Sequence, residues 1–259
     1  MTVTMQRYTS RILKAGAALD DTRRIVEFWD TQATVEENLR RIADENPLGK
    51  KSQARLGDLT GRAIVPRFVD PGPHVIPALK GFLSDHRAFT EACYFETARA
   101  DSLLAAFAEG PVYAWWQSGK TIITAGDVGA WLETQAKEGK TPMWSPGVRE
   151  RAGQGLLSAL RDFGVLRGAN GSPRKEIVSR AISPRGFAYV AWREHELGAS
   201  SRALVATATW RRWLLDADAV ILMFDRVARL GLLRFSSAGS VVRIDWLAQS
   251  LAEVTGAAA

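Results

Sequence analysis

A chain of 259 residues, 46% apolar and 24% charged with a formal net charge of +6, can bury one large core or two ordinary ones, which sets aside disorder for most of its length. No apolar run approaches the roughly 18 to 20 residues that a bilayer crossing needs, since Gly110 to Gly119 is soon stopped by Lys120 and Asp127, and the opening MTVTMQRYTSRILK lacks the apolar segment and cleavage site of a secretory signal; the expectation is a cytoplasmic protein with no membrane contact. The one cysteine, Cys93, excludes an internal disulfide and a multi-cysteine zinc site, and its setting in EACYFETA is that of a small buried residue.

Most of the chain has helical period. Thr34-Val35-Glu36-Glu37 is a capping box opening a helix with Val35, Leu39 and Ile42 on one face. Asn46-Pro47-Leu48-Gly49 breaks it, and Ser52 caps a second helix whose stripe is Leu56, Leu59 and Ala63 and whose end is expected at Pro66. The result is a helix, a short turn and a helix. Asp85 to about Glu109 reads as one long helix, and Thr124-Ala125-Gly126-Asp127 opens another through about Lys137. The segment EGKTPMWSPG, Glu138 to Gly147, is the expected boundary between an N-terminal helical domain, 1–140, and a C-terminal one, 141–259.

Beyond it, Ser145-Pro146 places an N-cap before a proline at the first helical position. The helix carries Val148, Ala152, Leu156, Ala159, Leu160 and Phe163 on one side and Arg151, Gln154, Ser158 and Arg161 on the other, and it stops at Gly164. Val165 to Arg167 and Ile177 to Ile182 read as strands of a hairpin, Ser183-Pro184 starts another helix, and a helix from about Asp218 leads into a second hairpin, Leu230 to Arg234 with Val241 to Trp246. RDFGVLRG at 161–168 aligns with ARLGLLRF at 228–235, a weak internal repeat centred on Gly164 and Gly231. Helix, glycine stop and basic hairpin is the order of a winged helix, although a capped helix covered by a hairpin has the same order. The expected fold is therefore all-α, predominantly helical, in two halves, with helix-turn-helix and winged-helix-like β-hairpin wings.

Charge is unevenly spread along the sequence. Residues 1–140 hold 18 Lys and Arg against 18 Asp and Glu, whereas 141–259 hold 16 against 10, and 15 of those 16 cations are Arg. Arginine suits bidentate contacts to phosphates and guanine edges. Two constellations fit nucleic acid. Lys50, Lys51, Ser52, Gln53 and Arg55 gather at a helix N-terminus, with Arg62 one heptad on. Arg149, Arg151 and Arg161 lie on the helix after the boundary, with Arg167, Arg174, Lys175, Arg180 and Arg185 in and after its hairpin, Arg174 and Lys175 being expected to project from the tip.

Material for catalysis is thin. His74, His86 and His195 are scattered, His195-Glu196-Leu197-Gly198 lacks the second histidine of a zincin, and no phosphate-binding glycine loop follows a strand. Neither an enzyme nor a metal or nucleotide cofactor is expected. Nine tryptophans, including Trp115-Trp116, read as core filling. Trp210-Arg211-Arg212-Trp213 interleaves aromatics with cations, the expected arrangement being Trp inward and Arg211 and Arg212 outward, as candidates for nucleic-acid contact.

The ordered phrases YTSRILKAGAAL, ENLRRIADENPLGKKSQAR, YFETARADSLLAAF, ALRDFGVL, SPRGFAYVAWREHELGASSRAL, WRRWLLDADAV and GLLRFSSAGSVVRIDW resemble the BrxA family of bacteriophage-exclusion (BREX) defence systems over nearly the whole chain. The resemblance implies a nearly all-helical monomer with helix-turn-helix elements and affinity for double-stranded DNA, acting beside a methyltransferase and ATPases; a likeness to the antitermination factor NusB keeps RNA open as a ligand. No catalytic residue comes with it. Two other functions fit the same residues: a scaffold whose Arg-rich half docks an acidic protein partner, and an RNA-binding factor.

Overall fold

The computed structural model describes residues 7–178, 181–239 and 241–257. In chain order the helices are α1 (Ile12–Ala15), α2 (Leu19–Phe28), α3 (Val35–Glu45), α4 (Gln53–Leu59), α5 (Val75–Lys80), α6 (His86–Ala100), α7 (Ser102–Phe107), α8 (Tyr113–Gln117), α9 (Ala125–Lys137), α10 (Pro146–Asp162), α11 (Pro184–Glu196), α12 (Ser201–Ala206), α13 (Ala217–Ala228) and α14 (Leu251–Thr255). Strands are β1 (Ile122–Thr124), β2 (Leu166–Arg167), β3 (Arg174–Ile177), β4 (Leu233–Ala238) and β5 (Val241–Trp246). The fold is mostly helical with small antiparallel sheets. Among the described residues no helix is long and apolar enough to cross a membrane.

Contacts divide the chain into two compact units of non-contiguous segments: a first unit of Met1–Ala17, Thr97–Arg180 and Arg211–Leu214, and a second of Ala18–Glu96, Ala181–Trp210 and Leu215–Ala259. The segment Glu138 to Gly147 lies inside the first unit.

In the first unit, Asp101 interrupts the long helix expected from Asp85 to Glu109. Its backbone turns extended, and its carboxylate accepts the Leu104 amide at 3.0 Å as N-cap of α7 and the Ile12 amide at 2.6 Å. A buried aspartate with two backbone donors is thus satisfied by starting a new helix. α7 then continues through a π-helical stretch, Ala108–Val112, into α8, the wider turns falling at Pro111, which has no N–H to give. β1 follows, and Thr124 and Asp127 form the capping box of α9, with the Thr124 side chain accepting the Asp127 amide at 3.2 Å. Pro146 sits at the start of α10, which buries Ala152, Leu156, Leu157, Ala159 and Leu160 on one stripe. At its end Gly164 takes φ 79, and the Val165 amide returns to the Leu160 carbonyl at 2.9 Å. The three strands form one antiparallel sheet in the order β1-β3-β2.

In the second unit, Thr34 caps α3 through the expected box, and Asn46, at φ 47, ends it by bracketing Lys50, with 2.9 Å from the Lys50 amide and 2.8 Å to its carbonyl. α4 does not stop at Pro66. It runs on as a π-helical stretch, Thr60–Val69, in which the Asp70 amide reaches back five residues to Val65. The core is built around α11, whose residues from Gly186 to Arg193 are all buried. Inside it Arg193, 3% exposed, donates to Glu96, and the Tyr189 hydroxyl donates to the same carboxylate, each at 2.8 Å. Burial, then the charge on Glu96, pushes the Tyr189 phenol far above its usual range. Glu91 on α6 accepts the Ser183 amide at 2.9 Å at the start of α11 and is paired with Arg87 at 3.0 Å. Burial raises the Glu91 carboxyl above its usual range, although Ser183 and Arg87 pull the other way. α13 leads into β4 and β5, which form a separate two-stranded hairpin.

α11 can approach Glu91 only because position 186 has no side chain: a Cβ there would sit 2.9 Å from Glu91 Cβ and closer still to its carboxylate. Gly186→Ala is therefore expected to destabilise the protein by about 1–3 kcal/mol, read as a lower urea midpoint at unchanged slope. An unchanged midpoint would show that the two helices can separate freely.

Candidate nucleic-acid interface

The surplus charge follows the folded units more sharply than the sequence halves. Segments of the first unit hold 16 Lys and Arg against 8 Asp and Glu, a net +8, while those of the second hold 18 against 20, a net −2. A surplus of that sign is the kind that draws polyanions.

There, α10 presents Arg149, Arg151, Gln154, Ser158 and Arg161 opposite its buried stripe. Arg151 is exposed and has no ion-pair partner among the described residues. Arg149 lies 3.6 Å from Glu133, and Arg161 is held by Asp162 and by Asn170, the latter at 2.9 Å. In the hairpin, Arg167 pairs with Glu176 across the strands at 2.7 Å but stays 70% exposed. Arg174 is exposed without an ion pair among the described residues.

Lys175 departs from expectation. The second strand runs from Arg174 to Ile177 rather than from Ile177 to Ile182, so Arg174 and Lys175 lie in the ladder and not at the tip. Because side chains alternate across a strand, Lys175 shares the inner face with Ile177, and it is 2% exposed. Its ammonium donates to the Ala169 carbonyl. Burial first, and then Arg161, lowers its pKa. Gly168 gives it room, since a Cβ there would come within 3.0 Å of Lys175 Cδ. Arg180 lies outside the described residues. Arg185 belongs to the second unit, where it donates to Thr255 O at 2.7 Å, reaches Asp85 at 3.3 Å and covers the Phe82 ring at 5.0 Å.

The α3–α4 constellation is in the second unit. Lys51 and Arg55 are exposed without ion pairs among the described residues. Lys50 is half-buried against Asp21 at 2.7 Å, Arg62 pairs with Asp58 one turn away, Ser52 spends its hydroxyl on the Arg55 amide at 3.2 Å, and Gln53 donates to Ala43 O at 3.1 Å. Of the pair Arg211 and Arg212, Arg211 is exposed, but Arg212 turns inward and is buried, its guanidinium donating to Glu109 at 2.6 Å, as a buried cation requires a charged partner. Trp210 and Trp213 are buried as expected; Trp115 and Trp116 are not, and remain half-exposed.

Sequence reasoning passed over two features. β1 pairs with β3 along Ile122 to Thr124, and the signal was the β-branched run Thr121-Ile122-Ile123-Thr124. At the end of α13 Arg226 and Arg229 are exposed, as is Arg234 in the hairpin that follows, and the repeat itself pointed to Arg234, which aligns with Arg167. The repeat holds in local geometry: Gly164 and Gly231 have φ 79 and 76, Leu166 and Leu233 are buried, and an antiparallel hairpin follows each. Among the described residues no group of three or more His, Cys, Asp or Glu is placed to hold a metal ion.

Since Lys175 is a buried cation satisfied by one carbonyl, Lys175→Met should change stability by no more than about 1 kcal/mol, whereas Lys175→Glu should cost about 2–4 kcal/mol by placing an acceptor against an acceptor. Thermal melting of the two variants checks this; equal effects would mean that the side chain is in fact solvated.

No curated protein matches the chain. In three dimensions it is similar to a crystal structure described as an uncharacterized protein from Magnetospirillum magneticum, with a TM-score of 0.60 and 16% identity over 78% of this chain and 98% of that one, a likeness that shows the fold alone. The family model described as BrxA matches residues 6–193, and the chain therefore belongs to the BrxA family of BREX phage-defence proteins.

Proposed function

We propose that the chain is a non-enzymatic accessory subunit of its BREX system that binds double-stranded DNA through the first unit, alongside the methyltransferase and ATPase components. One observation carries this reading: the net +8 unit contains the element order α8-β1-α9-α10-β2-β3 with its sheet ordered β1-β3-β2. That is the order of a winged helix, in which the helix before the hairpin lies in the major groove and the hairpin meets the backbone. α10 supplies Arg149, Arg151, Gln154, Ser158 and Arg161, the groove residues of this reading, and the wing supplies Arg167 and Arg174. Phosphate contacts provide most of the affinity and the helix a modest selectivity.

Lys51 and Arg55 at the start of α4 are proposed as additional backbone contacts, subordinate because their unit carries no surplus charge. Arg161 and Arg167 would exchange a neighbouring carboxylate for a phosphate, an exchange that exposed ion pairs permit at little cost.

The test is fluorescence anisotropy with a labelled duplex across a salt series. If about five phosphates are neutralised, log K falls against log salt with a slope of roughly −4 to −5. The double variant Arg151→Gln and Arg174→Gln should reduce that slope by about two and leave the melting temperature unchanged, since both side chains are exposed. A flat salt response, or unaltered binding by the folded variant, overturns the assignment and points to docking of an acidic protein.

A further inference from the structure

α8 is anomalous for its composition. Three of its five residues, in Tyr113-Ala114-Trp115-Trp116-Gln117, are aromatic, yet it buries no side chain. Trp115 is anchored, edge-on to the buried Phe107 at 6.1 Å and with the Lys120 ammonium 4.8 Å above its ring. Among the described residues Tyr113 and Trp116 stack on no buried ring, and the Tyr113 hydroxyl accepts the Gln117 side-chain amide at 2.9 Å. The two rings lean on each other at 5.8 Å and 38°, both half-exposed, and the Arg211 guanidinium lies 5.4 Å from the Tyr113 ring. Arg211 is itself exposed, with no ion-pair partner among the described residues. Large rings are normally buried or paired with a polar tip, so a partly exposed aromatic pair edged by a cation is a feature that water does not favour.

We propose that Tyr113, Trp116 and Arg211 form a binding site for unpaired bases of a single-stranded nucleic acid, separate from the surface proposed for duplex DNA. An apolar protein segment would satisfy the rings but would strip water from Arg211 without replacing it. A nucleotide satisfies both at once, its base stacking on the rings and its phosphate meeting the guanidinium. The net charge of +8 in the unit that holds all three residues favours a polyanion over an apolar peptide. Intact duplex offers no base faces within its length, so only an unpaired strand can use the rings. The same residues serve DNA and RNA strands, because every base has a π-face.

The experiment is anisotropy of the full chain with labelled strands of about 16 nucleotides, namely oligothymidine, oligouridine and an abasic strand of equal charge. Wild type should bind the base-bearing strands at least about fivefold more tightly than the abasic one. Trp116→Ala and Tyr113→Ala should each weaken single-strand binding by about five- to 100-fold and leave duplex affinity unchanged, with Trp116→Phe and Tyr113→Phe restoring it. The tighter of the two base-bearing strands identifies the sugar that the site accepts. Equal binding of abasic and base-bearing strands by wild type, a comparison that needs no variant, overturns the proposal, as does undiminished single-strand binding by the folded alanine variants. Loss of duplex binding in Arg151→Gln and Arg174→Gln with single-strand binding retained would separate the two surfaces.

Discussion

The candidate interface depends on one constraint, the pairing of β3 on both edges. Its three registers with β1, Ile122 to Glu176, Ile123 to Lys175 and Thr124 to Arg174, and its two with β2 leave that strand no freedom to slide. A slip of one residue would exchange the faces, sending Arg174 and Glu176 inward and Lys175 out. Register therefore decides which cation meets solvent, and it does so through a three-residue strand contributed from before α9. The β2–β3 hairpin is not independent; it is held by the chain that introduces the two preceding helices.

The second unit uses charge differently. Glu96, 0% exposed, accepts from both Arg193 and Tyr189, while Glu91 joins Arg87 to the start of α11. Such buried pairs return little net stability over an apolar core, but breaking one side leaves an uncompensated charge. They make the seating of α11 against α6 specific. The cations so used are withdrawn from any ligand, which is why Arg185, Arg193 and Arg87 contribute to architecture although the sequence groups Arg185 with the basic surface. In the first unit the ratio of cations to carboxylates is two to one, and exposed arginines remain after the local pairs are made.

Local chemistry was legible in the sequence to the extent that it was local. The capping boxes at Thr34 and Thr124, the Ser-Pro starts of α10 and α11, and the glycine stops before both hairpins lie where short-range rules put them. Features set by distant partners were not. β1 is three residues long and finds its partner some fifty residues on; Asp101 breaks a helix because Ile12 needs an acceptor; Pro66 and Pro111 are absorbed by wider turns rather than ending their helices. The same division runs through the site residues. Arg151, Arg174, Lys51 and Arg55 keep the exposure that helical and strand periodicity suggests, and Arg62 has its carboxylate one helical turn back, while Lys50, Lys175, Arg185 and Arg212 are engaged by groups whose proximity only the folded chain supplies.

The π-helical stretch between α7 and α8 is in effect one residue too many for a regular helix, and an insertion of that kind turns everything after it by about 100°. α7 buries Leu103, Leu104 and Phe107, whereas α8 buries nothing. The extra residue thus acts as a phase adjustment between a core helix and a surface one, carrying Tyr113 and Trp116 out of register with the apolar stripe that would otherwise enclose them. Length variation at this one position among related chains would switch the aromatic face between interior and surface without disturbing the helix axis, so a deletion there would read as a change of binding character rather than as loss of fold.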